Sequence, residues 1–302
     1  MFQVHLALFF VSLLYAILFS WAGQIMPNHL SSEAFVWLRI AFATALFHLF
    51  SFFGGRDSVD WKNHWKEFAI CGFFGTSANM YLFFKGLEST YPINGAVLML
   101  FTPLFVGIFD HLRVKKWPKL IFSISIIIAA ISCFFLITSN GAKFSSKTIW
   151  GDIWVAINAM LYAVYLVRVK NLTQHYKPIT INKWTFTFGL IFITPVGLPS
   201  VIHTSFASIP TDIWIKIAYI LFFTSFLVYL LNAFAVKKAG PTLAGLYIYL
   251  QPLLATFIAF LLNTDEISRQ KILLMFLVLL ATFTATRFTP KYDNQTGKID
   301  EC

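Results

Sequence analysis

The sequence predicts an all-α polytopic membrane protein, with ten transmembrane helices arranged as two inverted five-helix repeats. Three observations carry that expectation. Of 302 residues, 58% are hydrophobic, 18% aromatic and only 12% charged, where an ordinary soluble chain carries about a quarter charged residues. The apolar residues fall into long runs. The chain is also similar to itself at an offset near 149 residues. A compact soluble fold has no interior large enough to hide 35 Phe at a mean hydropathy of +0.72, because buried volume grows too slowly with chain length.

A hydrocarbon core about 30 Å thick needs roughly 20 residues of helix. Ten apolar runs of that length, bounded by polar residues or by Pro and Gly, occupy residues 5–25, 33–53, 65–86, 92–112, 118–138, 150–169, 181–200, 213–235, 241–262 and 268–288. The first run is too long for a cleaved signal and has neither a basic start nor an A-x-A exit, so it reads as a retained helix. The cysteines, Cys71, Cys133 and Cys302, form no disulfide framework and no metal-type cluster with histidine.

Lys and Arg in the connections set the orientation, since positive loops resist translocation. With the N-terminus inside, the inner connections hold sixteen: Arg56, Lys62, Lys66, Arg113, Lys115, Lys116, Lys119, Arg168, Lys170, Lys177, Lys183, Lys237, Lys238, Arg287, Lys291 and Lys298. The outer side holds six, Lys85, Lys143, Lys147, Lys216, Arg269 and Lys271, and Arg39 alone lies inside a span. The expectation is a multi-pass protein of a bacterial inner membrane with both termini cytoplasmic. The net charge of +10 is then topological, and no nucleic-acid partner is implied.

Sliding residues 65–104 by 149 positions aligns Trp65 with Trp214, Phe73 and Phe74 with Phe222 and Phe223, Pro92 with Pro241 and Pro103 with Pro252. An offset of 147 superposes Leu14-Tyr15-Ala16 on Leu161-Tyr162-Ala163 and Trp37 on Trp184. The expected organisation is one five-helix unit over 1–140, a second over 148–289 and a polar cytoplasmic tail over 290–302. Five is odd, so the second unit must be inverted. The charges agree: the connection after the second span carries three cations and its counterpart, Ser200 to Asp212, carries none. Inverted repeats are a common architecture of secondary transporters, with the substrate bound where the halves meet.

The residues that carry a family resemblance are Leu38-Arg39-Ile40-Ala41-Phe42-Ala43, the polar elbows Leu87 to Pro92 and Val236 to Pro241, and the mid-span Pro103-Leu104-Phe105-Val106 and Pro252-Leu253-Leu254-Ala255. With the repeat, they make the chain resemble the EamA-type branch of the drug/metabolite transporter superfamily from about Leu6 to Arg287. The resemblance implies ten helices in two halves and a metabolite carrier. The Gly-Glu-Arg usual after the proline-containing helix reads Val114-Lys115-Lys116 here, and Thr264-Asp265-Glu266 in the second half.

Polar side chains inside spans are candidate site residues, because lipid offers them no partner. Those expected to line a substrate cavity are Tyr15, Arg39, Asn79, Tyr81, Asn158, Tyr162, Tyr165, Trp184, Asn232, Tyr247 and Gln251. Asn158, Tyr162 and Tyr165 share one helical stripe. Arg39 has two readings: an anchor that snorkels or pairs with Glu33, or a contact for a substrate anion, as an Arg is common at this place in the family it resembles. Pro92 and Pro241 suit helix starts. Pro103 and Pro252 lie mid-span, where each removes a backbone bond and can kink the helix, a symmetric pair of hinges. No carboxylate sits mid-membrane; those of the spans, Asp110 among them, fall near span ends, which favours facilitated diffusion or exchange over proton coupling unless water reaches Asp110 from the cytoplasm. With no nucleotide loop, metal motif or nucleophile constellation, the reading is a non-enzymatic permease without cofactor, moving a small organic metabolite such as an amino acid by alternating access. It needs the bilayer and the metabolite as partners, and no obligatory protein partner is evident. A membrane-embedded lipid-modifying enzyme and a non-transporting scaffold are the alternatives.

Overall fold

The computed structural model describes residues 1–53, 57–90, 92–114, 119–138, 148–261 and 269–288. Arg56, Lys115, Lys116, Lys143, Lys147, Thr264, Asp265, Glu266, Lys291, Lys298, Cys302 and the tail 290–302 lie outside them. Nine helices among the described residues are long and apolar enough to cross a membrane. They are α1 (Phe2–Ile25), α2 (Ser32–Phe53), α4 (92–114), α5 (Leu120–Thr138), α6 (Ile149–Thr173), α7 (Pro178–Ile202), α8 (Thr211–Ala239), α9 (241–261) and α10 (Arg269–Arg287). A tenth helical stretch, α3, runs over 61–89 with an apolar centre between charged ends. Asp60 starts it by accepting from the Asn63 amide at 3.3 Å. Hydrogen bonds from Asn63 hold that carboxyl below its usual range.

The repeat is visible in the irregularities of the helices. Helix α3 widens to π geometry at Phe73–Ser77 and α8 does so at Ile220–Leu227, so the paired phenylalanines mark matching wide turns. Helix α4 breaks at Leu100, and α9 tightens to 3₁₀ geometry at Tyr247–Tyr249. Both breaks precede the mid-span prolines by three residues or more. Pro103 and Pro252 have no N–H to give the preceding turn, so each stands in the first turn of a new helical piece and the chain before it is freed to bend.

Repeat mates pack against each other head to tail. At one end of the α2–α7 pair the Trp37 indole donates to Thr194 at 3.1 Å; at the other His48 Nε2 meets Thr187 at 2.9 Å and Phe47 packs on Phe186. The start of α2 therefore meets the end of α7. Helix α4 likewise crosses α9 with its C-terminal half against the start of α9, where Val106 lies so close to Gly245 that a Cβ there would come within 3.1 Å. Mates running antiparallel are the structural meaning of an inverted duplication. Gly240 ends α8 at φ 88°, a conformation glycine adopts freely, and Pro241 then opens α9.

Two cores result. The larger joins α1, α2, α3, α6, α7 and α8, together with the facing halves of α4 and α9. The smaller joins α5, α10 and the other halves of α4 and α9. Helices α5 and α10 also turn Ile124, Ile128, Ile131, Phe276, Leu280 and Phe283 outward. So much contiguous apolar surface is stable only against lipid, and the chain is a multi-pass membrane protein.

Candidate functional site

A narrow, partly open cavity of about 50 Å³ lies within the larger core. That is room for a few water molecules, so a solute needs the surrounding helices to part. Its polar lining is Tyr15 (α1), Arg39 (α2), Asn79 (α3), Asn158 and Tyr162 (α6), Tyr229 (α8) and Gln251 (α9). Met80, Phe83, Phe84, Leu18, Met99 and Ile248 supply the apolar walls. Met99 and Ile248 sit at the breaks of α4 and α9, so one wall of the cavity is the pair of interrupted helices.

Arg39 is 2% exposed. It neither snorkels nor pairs with Glu33, which is held by Lys85 at 2.9 Å. Its Nε donates to Ser225 Oγ at 2.8 Å and its Nη2 to Thr224 Oγ1 at 3.2 Å and Thr224 O at 3.4 Å. The guanidinium lies 4.8 Å from the centre of the Phe84 ring and 5.8 Å from that of Phe35. Among the described residues no carboxylate pairs with it. The carbonyl it reaches is available because α8 is wound in π geometry there, which loosens the regular backbone ladder. The mate of Thr224 is Gly75, and its carbonyl in the π turn of α3 accepts from the Tyr229 hydroxyl at 2.7 Å. Each wide turn thus lends a backbone oxygen to a side chain beside the cavity.

The amides are equally ordered. Asn158 donates to Asn79 O at 2.7 Å and Asn79 returns a bond to Asn158 O at 3.3 Å, locking α3 to α6. Tyr15, Tyr162 and Tyr229 bring their hydroxyls together, and Asn232 donates to the Tyr162 hydroxyl at 3.0 Å. Tyr15 and Tyr162 are repeat mates, so the symmetry axis runs past them.

Five of the sequence-predicted residues stand outside the cavity lining. Asn232 sits one bond behind it, on Tyr162. Tyr165 is buried against Tyr229 and over Gly75, where a Cβ would overlap its ring. Trp184 packs edge-on to Trp61 near the start of α7. Tyr247 accepts or donates a 2.7 Å bond with His5. Tyr81 lies beside Glu33 and Lys85. The lining adds Tyr229, which is absent from the expected set; the repeat is the signal that could have found it, since it lies two residues past the π segment that mirrors Phe73–Ser77. Among the described residues no group of three metal-ligating side chains converges.

Polar groups cluster where α4 crosses α9, outside the cavity lining. Asp110 is fully buried and accepts from Thr242 at 2.5 Å and from Arg113 at 3.2 Å. Arg113 also donates to Asn171 at 3.2 Å. Lys170 donates to the carbonyls of Val236 and Lys237 at 3.3 and 3.0 Å. The Asp110–Thr242 and Arg113–Asn171 bonds both tie the two repeats together here.

The EamA-like transporter family model matches the chain twice, at residues 3–138 and 149–287. The uncharacterized transporter YyaM of Bacillus subtilis (strain 168) is 29% identical over 75% of this chain and 74% of its own length. An uncharacterized transporter of Archaeoglobus fulgidus is 26% identical over 66% and 68% of the two chains. A protein of known crystal structure shares 14% identity but superposes with a TM-score of 0.76 over 95% of this chain and 99% of its own, which speaks for the fold alone.

Proposed function

The chain belongs to the EamA-like transporter family, and from that premise we propose that it moves a small carboxylate-bearing metabolite, such as an amino acid, by alternating access through the central cavity. The observation that carries this reading is Arg39. A buried guanidinium whose protein partners are neutral retains most of its desolvation cost, and a substrate carboxylate would offset it. The tyrosine hydroxyls and the Asn79, Asn158 and Gln251 amides suit the remaining polar groups of such a solute, and the Phe and Met walls suit its carbon skeleton. The cavity lining holds no carboxylate, which favours exchange or facilitated diffusion. We assign the protein no catalytic step and no cofactor. We place it in a bacterial inner membrane with both termini cytoplasmic, as the distribution of Lys and Arg supports.

Counterflow in proteoliposomes tests the reading. A panel of labelled amino acids, purines and neutral drugs should yield exchange for at least one carboxylate-bearing solute. Movement of neutral solutes alone, or of nothing, would overturn it.

In this reading the α4–α9 crossing is the closed gate, and Thr242→Val should loosen it. Losing a hydrogen bond to a charged acceptor costs about 1.5–3 kcal/mol, so the open population should rise roughly tenfold or more. The measurement is the labelling rate of a cysteine placed at Val106, which is buried at that crossing. A rate equal to that of the Thr242 parent would remove the gate from the mechanism.

A further inference from the structure

A second crevice, of about 290 Å³, opens between α4 and α6 away from the central cavity. Its lining is Phe109, Arg113, Val164, Val167, Arg168 and Asn171. Two lipid-facing stripes lead into it. On α6 the outward residues Ile149, Ile153, Ile157 and Met160 continue at helical spacing to Val164, Arg168 and Asn171. On α4, Phe101, Ile108 and Leu112 face outward and the Phe105 and Phe109 rings stack at 6.1 Å. The apolar walls therefore run along the membrane and end in two guanidiniums and an amide.

The charges nearby are Arg113, Arg168 and Lys170 against Asp110 and Glu67. Asp110 takes one nitrogen of Arg113, and Glu67 takes one of Arg168 at 2.8 Å. Among the described residues these three cations stand near two carboxylates, and the Arg168 guanidinium, which gives one nitrogen to Glu67, is half exposed at the crevice beside Arg113. We propose that this crevice binds the headgroup phosphate of an anionic phospholipid, with Arg113 and Arg168 on the phosphate and an acyl chain along Phe109, Val164 and Val167. Basic pockets between transmembrane helices recognise anionic headgroups by this combination. Because Arg113 also holds Asp110, which is bonded to Thr242, the lipid sits one residue from that tie between the repeats.

The test is native mass spectrometry of the full-length protein titrated with phosphatidylglycerol or phosphatidylcholine of the same acyl chains. The wild type should retain its first phosphatidylglycerol several-fold more tightly than phosphatidylcholine. Arg168→Gln, a change at a half-exposed side chain, should weaken phosphatidylglycerol about fivefold, as one basic residue near a headgroup contributes. Val164→Trp fills the crevice without altering charge and should weaken both lipids. Equal retention of the two lipids by the wild type, or unchanged phosphatidylglycerol retention in both variants, would overturn the site. Displacement of phosphatidylglycerol by inorganic phosphate alone would also overturn it, assigning the arginines to a free anion.

Discussion

Arg39→Ala should weaken binding of carboxylate-bearing solutes by about 10²- to 10³-fold while leaving neutral ones nearly untouched. Truncating one member of a buried charge pair costs about 2–5 kcal/mol or more, and 1.4 kcal/mol is a factor of ten. The loss should be confined to anions because the other polar groups of the cavity, Asn79, Asn158, Tyr162 and Gln251, keep their positions on other helices. Arg39→Lys restores the charge without the planar fork. It should recover part of the affinity, since an ammonium reaching Ser225 cannot also span Thr224. Stability separates this role from an anchoring one. An anchor lost from between α2 and α8 should destabilise the fold. A guanidinium buried without a carboxylate is itself costly, so Arg39→Met should leave the melting temperature unchanged or raise it by a few degrees. Uptake by Arg39→Ala that falls equally for charged and neutral solutes, together with a lowered melting temperature for Arg39→Met, would reduce Arg39 to a structural residue.

Arg39 also marks how far the sequence could be read. Its place inside an apolar run was plain, as were the spans and the inverted repeat, because hydropathy and charge report directly on what a bilayer tolerates. Its partners were not plain. They depend on α8 being wound in π geometry at Thr224 and Ser225, and only the Phe73-Phe74 and Phe222-Phe223 match hinted that two turns were special. The tyrosines divide for a related reason. Tyr162 and Tyr165 lie on one stripe of α6 and their rings stack at 5.8 Å. Tyr165, however, falls opposite Gly75, whose missing side chain lets α3 close over it, and Tyr162 falls on the cavity. Periodicity assigns a face, but depth along that face is set by the neighbouring helix. Trp184 and Tyr247 stand near helix ends and breaks, where an aromatic ring with one polar atom finds local partners, and their composition could not distinguish that role from lining a cavity. Asp110 read as a span-end carboxylate; its complete burial follows from the α4–α9 crossing, a tertiary contact between halves that share no local sequence signal.

Gly151→Leu should be among the costliest single changes at a glycine of the helix crossings, because backbone meets backbone there. A Cβ at Gly151 would come within 2.7 Å of Gly86 O and 2.8 Å of Ser89 C and Thr90 N, and a Cβ at Gly86 would come within 2.9 Å of Gly151 O. No flexible side chain can yield at these contacts, so α6 must move away from α3. Small residues permit such approaches between membrane helices, whose association rests on close packing rather than on hydrophobic burial. Overpacking a tight site costs about 1–3 kcal/mol, which for a chain of this size corresponds to a fall of roughly 2–12 °C in melting temperature. The same displacement pulls Asn158 from Asn79, two turns further along α6, and so opens the cavity wall as well. Gly23→Leu is the control: it adds the same side chain to a helical glycine with nothing within 4 Å of its Cβ position, and it should leave both melting and counterflow as they are. If Gly151→Leu melts like Gly23→Leu and retains exchange, α3 and α6 are not in backbone contact and the reciprocal amide bridge does not shape the cavity.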